Sequence, residues 1–182
     1  MKDLSISNKV RPAEQTRRTF LQLATLGGGV SLLASLLPGG VTQAAGKTEA
    51  LLLSCMDYRL THHTEQYMSS RGLREQYDHI VLAGAALGAI TNKYPAWNKT
   101  FWEHLDIAIQ LHNIHRVIVL DHRDCGAYKV ILGEDLAKDP AKEREVHATQ
   151  LKKLARLIKE RHPRLEIELL LMSLDGKVEK IT

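Results

Sequence analysis

Cysteine is scarce in this chain: Cys55 and Cys125 are the only two in 182 residues. Two thiols exclude a multi-disulfide scaffold and allow one intrachain bridge at most. Surplus charge is also missing. The chain carries +4 overall, and residues 1–44 supply +3 of it, with Lys2, Lys9, Arg11, Arg17 and Arg18 set against Asp3 and Glu14. The remainder, near +1, has no general electrostatic pull toward nucleic acid or anionic lipid. No internal repeat or low-complexity tract follows Ala44, which excludes solenoid and disordered architectures. The small-residue stretch 84–88 lacks both GxGxxG and a following Lys-Ser/Thr, so it reads as a packing turn and not a phosphate loop. What remains is an ordinary globular composition, 44% hydrophobic and 25% charged, of a length that favours one domain.

The first 44 residues read as an export signal. Thr16-Arg17-Arg18-Thr19-Phe20-Leu21 resembles the twin-arginine motif that precedes a weakly apolar core. That core, about 21–37, is broken by Gly27-Gly28-Gly29 and stops before Pro38-Gly39-Gly40, too short and glycine-rich for a spanning helix. Thr42-Gln43-Ala44 offers small residues where a signal peptidase reads, which places cleavage after Ala44, a domain over 45–182, and the mature protein in the periplasm.

Beyond the leader, apolar runs alternate with amphipathic ones. Strands are expected at 50–54, 78–83, 116–121, 165–172 and 177–181. Helices are expected over 61–71, with Gly72 closing it, over 96–112, with Trp97, Phe101 and Leu105 facing the core, and over 140–161. This order implies an α/β fold, compact, with a mostly parallel sheet covered by helices. Ligands in such sheets collect beyond the carboxyl ends of the strands.

Two of those ends carry the chemistry. Cys55-Met56-Asp57-Tyr58-Arg59 follows the first strand, and spacing of two in an extended segment would put Cys55, Asp57 and Arg59 on one face. His122-Arg123-Asp124-Cys125-Gly126 follows the β-branched strand, and spacing of three sets His122 and Cys125 about one turn apart. Two thiolates and an imidazole suit one zinc ion and leave a fourth position open. The competing readings are a Cys55–Cys125 disulfide, which leaves His122 unexplained, and a surface ion pair for Asp57 and Arg59.

Cys-x-Asp-x-Arg followed by His-x-x-Cys-Gly, each after an apolar strand, resembles the β-class carbonic anhydrases, in outline over 49–181. The resemblance implies that Cys55, His122 and Cys125 hold zinc. It implies that Asp57 and Arg59 form the catalytic dyad, with arginine pairing the carboxylate. It further implies reversible hydration of carbon dioxide to bicarbonate by a metal-bound hydroxide, and a homodimer or higher homo-oligomer. The sequence departs from that pattern in three places. Cleavage after Ala44 would leave no N-terminal arm and none of the arm's substrate-holding glutamine. Val81-Leu82 stands where Arg-Asn is common, and Asp121 precedes the metal histidine where glycine is common. The alternatives are a zinc hydrolase of carbonyl sulfide or carbon disulfide and a non-catalytic zinc-binding or thiol-redox protein. Eight further histidines, His147 among them, are available as a proton shuttle that the sequence does not single out, and most are expected to be ordinary surface or helix-face residues.

Overall fold

The computed structural model describes residues 47–182, so the leader expected over 1–44 and its cleavage after Ala44 lie outside the described residues. Five strands form one sheet: β1 (Ala50–Ser54), β2 (Tyr77–Val81), β3 (Arg116–His122), β4 (Glu166–Met172) and β5 (Val178–Lys180). Their order is β2-β1-β3-β4-β5. The first four run parallel, and β5 returns antiparallel to β4. The helices are α1 (Thr61–Ser70), α2 (Ala85–Ile90), α3 (Pro95–His112), α4 (Gly126–Leu132) and α5 (Pro140–Arg161). Among the described residues no helix is long and apolar enough to cross a membrane.

The central strands are apolar on both faces because both faces are covered. All five residues of β1 are buried. Leu51, Leu53, Val117 and Val119 pack with Phe101 and Leu105 of α3 and with Leu151, Leu154 and Ile158 of α5. Leu52, Ile118 and Leu120 point the other way, toward Leu60 and Met68. A third cluster joins Leu87, Cys125, Tyr128 and Leu136 beside the strand ends. The helix ends follow local chemistry. Asp139 caps α5 by accepting from the backbone N–H groups of Ala141 and Lys142, ahead of Pro140 in the first turn. Asn113 closes α3 in the left-handed region at φ 51°.

Two short helices fall where the sequence reading expected none. Residues 85–90 form α2, not a loop, because the run Ala85-Ala86-Leu87-Gly88-Ala89 is small enough to bury almost completely against the sheet. Residues 126–132 form α4 directly after Cys125. Close packing of α2 is visible at Gly88, where an added Cβ would lie 2.3 Å from the carbonyl oxygen of Ala83. Backbone cannot move aside as a flexible side chain can. Gly88→Ala is therefore expected to destabilise the fold by about 2 kcal/mol, read as a lowered urea midpoint at unchanged slope.

The chain leaves β1 for β2 on one side and returns to β3 on the other. The crevice beyond β1 and β3 is thus the point at which strand order reverses, where parallel sheets bind ligands.

Candidate metal centre

Cys55 sits one residue past β1, and His122 is the last residue of β3. Because the two strands pair in register, Ser54 opposite Leu120, their ends bring these side chains together although 66 residues of chain separate them. Cys125 is returned to the same place by a reversal at Asp124, which adopts φ 54°. Aspartate tolerates that left-handed conformation better than most residues. His122 and Cys125 are therefore joined by a kinked loop, not by the helical turn that their spacing suggested.

One nitrogen of His122 and the two sulfurs lie within 4.8 Å of one another. The sulfurs are 3.9 Å apart, and both cysteines are free thiols. The tautomer of His122 follows from its surroundings. Its Nδ1 lies 2.8 Å from the carbonyl oxygen of Arg123, which can only accept, so Nδ1 carries the proton. Nε2 then presents a lone pair, and this buried atom has no partner among the described residues. An orphaned lone pair facing two thiols, at the centre of three converging segments, is the donor set a metal ion requires.

The thiols are electrostatically unequal. The hydrogen bond from Cys125, followed by contacts from His122 and the Gly84 N–H, pushes Cys55 down despite its burial. The same shared hydrogen bond, with burial added, pushes Cys125 up. Burial disfavours charge on His122, but the neighbouring Cys55 sulfur and the carbonyl of Arg123 raise its pKa overall. A cluster that stabilises one thiolate before any ion arrives is suited to capturing a cation.

Asp57 and Arg59 meet as the sequence suggested, by a different route. Tyr58–Leu60 is a turn of 3-10 helix, with Asp57 as its N-cap accepting from the Arg59 N–H. The guanidinium then folds back, donating from Nε to Asp57 Oδ1 at 3.0 Å and from Nη2 to Oδ2 at 2.8 Å. This two-pronged grip holds the Asp57 carboxyl down at about 2. Arg59 also reaches the far segment, donating to the Asp124 carboxylate at 2.7 Å and to its carbonyl at 2.9 Å. Asp57 Oδ2 lies 3.9 Å from His122 Nε2, at the rim of the ligand cluster.

A cleft of about 730 Å³ opens from Cys55, Asp57 and Arg59. Its walls are largely apolar, and include Met56, Val130 and Ile131. Trp97 lies here too. Expected in the core, it is instead half-buried and stacked on Tyr94 at a centroid distance of 4.2 Å. Two residues around the centre were not anticipated. Glu143, 3% exposed on α5, accepts from the Asp124 N–H at 2.6 Å, and His147 is fully buried one turn later. Their spacing of four on α5 was the available signal.

Comparison with known proteins gives the same direction. A family model described as "Putative carbonic anhydrase" matches residues 45–182. An uncharacterized protein of Rickettsia conorii is 42% identical over 135 residues, covering 74% of this chain and 73% of that protein. A solved carbonic anhydrase from Glaciozyma antarctica aligns over 98% of this chain and 100% of its own, at 22% identity and a TM-score of 0.50. A structure from a study of two tetrameric β-carbonic anhydrases of Sordaria macrospora covers 93% of this chain and 94% of its own, at 9% identity and a TM-score of 0.50. At such identities the two structures establish a common fold.

Proposed function

This chain belongs to the carbonic anhydrase family matched over 45–182, and we propose that it reversibly hydrates carbon dioxide to bicarbonate using one zinc ion held by Cys55, His122 and Cys125. The observation that carries this reading is the preformed donor set of two sulfurs and a freed imidazole nitrogen within 4.8 Å. Sulfur and imidazole donors favour zinc over magnesium or calcium, which take oxygen. Bound zinc would supply Lewis acidity and make hydroxide available near neutral pH.

The chain's own residues would do the rest. Asp57 remains an ionised acceptor across the neutral range because Arg59 holds it so. Placed at the rim of the cluster, it would accept a hydrogen bond from the attacking hydroxyl group and fix the direction of the lone pair. Arg59, bonded to Asp57 and Asp124 together, would keep both ligand-bearing segments in mutual register. The largely apolar walls of the cleft suit a small uncharged molecule, and the charged groups beside the centre, Asp57, Arg59 and Asp124, are paired with one another.

We also propose a homo-oligomer, in which a second copy covers exposed apolar groups at the cleft mouth such as Tyr58, 85% exposed, and Met56, 66% exposed. We further propose that residues 1–44 are a twin-arginine leader and that the mature protein is periplasmic, a reading supported by the sequence Thr16-Arg17-Arg18-Thr19-Phe20-Leu21. Export in the folded state would allow metal to be loaded in the reducing cytoplasm, protecting both thiols.

Stopped-flow hydration of carbon dioxide, followed with a pH indicator, tests the activity. Zinc-loaded protein should accelerate hydration in proportion to its metal content, and metal-stripped protein should not. Full zinc occupancy without acceleration would refute the activity, and hydrolysis of carbonyl sulfide under the same conditions would move it to that substrate.

A further inference from the structure

Behind the three ligands lies a buried polar cluster that the proposed chemistry does not use. Asp121, 1% exposed at the end of β3, points between α2, α4 and α5. Its Oδ1 accepts from the Ala86 N–H at 2.9 Å. Its Oδ2 accepts from the Tyr128 hydroxyl at 2.5 Å and faces His147 Nδ1 at 2.8 Å. Tyr128 is 1% exposed and His147 0% exposed, with their rings 3.9 Å apart. Burying a carboxylate is expensive even when it is satisfied. His147 adds to the cost, since its Nε2 is buried without a partner among the described residues. An apolar side chain at 121 would pack here more cheaply, so stability alone is a poor reason for the cluster.

The contacts point to another reason. Asp121 directly precedes His122 in the chain. Tyr128 lies on the helix that begins after Cys125 and packs in the same buried cluster as that ligand. Ala86 follows the Gly84 turn, whose N–H donates to Cys55 Sγ at 3.3 Å. One carboxylate thus ties together the segment holding His122, the segment holding Cys125 and the turn that touches Cys55. His147 anchors the assembly to α5. One turn earlier on the same helix, Glu143 grips the Asp124 N–H and, at 3.2 Å, the Arg123 guanidinium. Helix α5 therefore holds the loop that runs from His122 to Cys125 at Asp121, Arg123 and Asp124.

We propose that Asp121, with Tyr128 and His147, is a positioning hub that sets the three ligand segments at the spacing a metal ion needs. The hub touches neither metal nor substrate, and it acts through the ligands. This rests on the metal reading above. Residues hydrogen-bonded to metal ligands typically alter metal affinity by about 10- to 100-fold, and a hub that sets the ligand segments is expected to act on that scale.

The test measures metal directly, without catalysis. Full-length wild type, Asp121→Asn, Tyr128→Phe, His147→Asn and His147→Leu are each titrated with Co²⁺, and their zinc dissociation constants are determined by competition with a chelator. Phe101→Leu, a core change in α3, serves as a stability control. Tyr128→Phe removes one hydroxyl and keeps the ring, so it should fold even if Asp121→Asn does not. The expected results are an affinity about 10-fold weaker for Tyr128→Phe and up to 100-fold weaker for Asp121→Asn. The Co²⁺–thiolate absorption bands should shift in both variants. His147→Asn, which restores a donor to Asp121, should lie closer to wild type than His147→Leu. Phe101→Leu should lose thermal stability with unchanged affinity and spectrum. Variants that bind Co²⁺ and zinc like wild type would overturn the hub while leaving the metal site standing. Wild type that takes up neither metal would overturn both.

Discussion

Replacing His122 with alanine is expected to weaken zinc binding by about 10²- to 10³-fold while the fold survives. The magnitude follows from the free energy of four-ligand zinc sites, about 10–16 kcal/mol, of which one ligand's share is about 3–4 kcal/mol. His122 is the ligand to test because its commitment is legible in its hydrogen bonding. Nδ1 is taken up by the carbonyl of Arg123, and Nε2 has nothing else to do among the described residues. The substitution removes a side chain 2% exposed at a strand end, so some stability will go with it. Far-UV circular dichroism alongside chelator competition separates the two effects. Carbon dioxide hydration should fall in step with occupancy, and full activity at undiminished zinc content would remove His122 from the site.

Asp57→Ala should behave in the opposite way. It is expected to keep one zinc per chain and to lose about 10²-fold or more in kcat/KM, the scale attached to a positioned proton-handling group. Asp57 stands at the rim of the ligand cluster, 3.9 Å from His122 Nε2, and is already fully engaged with Arg59. Removing it leaves both sulfurs and the imidazole where they were. Arg59→Lys should show a smaller loss, about 10-fold, because one ammonium cannot reproduce the fork that spans Asp57 and Asp124. Metal analysis with steady-state kinetics on the same samples checks both variants. If Asp57→Ala instead lost its zinc at unchanged kcat per bound ion, Asp57 would be a ligand and not an orienting acceptor.

How far the sequence could be read depended on the range of each interaction. The apolar runs Ala50–Ser54 and Arg116–His122 announce buried strands because parallel strands covered on both faces tolerate little else. Pro140 and the cap before it mark the start of α5 at the residue where it begins. The donor set was legible as well, since two strand ends of one sheet converge wherever strand order reverses. Short-range backbone detail was not. The 3-10 turn at Tyr58–Leu60 and the left-handed Asp124 carry no periodicity. The small residues of 85–90 resemble a loop until the sheet against which they bury is known. Least legible was His147. A lone histidine on a helix is usually a surface residue, and its partner Asp121 lies 26 positions away on another element. Asp121 stood out in the sequence only as a departure from the family pattern, and the three-dimensional contact is what joins it to His147 as a buried pair.

The most direct measurement is zinc K-edge X-ray absorption on the purified full chain, taken together with its metal content. The expected result is one zinc per chain, with two sulfurs at about 2.3 Å, one imidazole nitrogen at about 2.0–2.1 Å and one further light atom. No stoichiometric zinc, a first shell without two sulfurs, or a Cys55–Cys125 disulfide in the isolated protein would contradict the metal centre and the activity built on it.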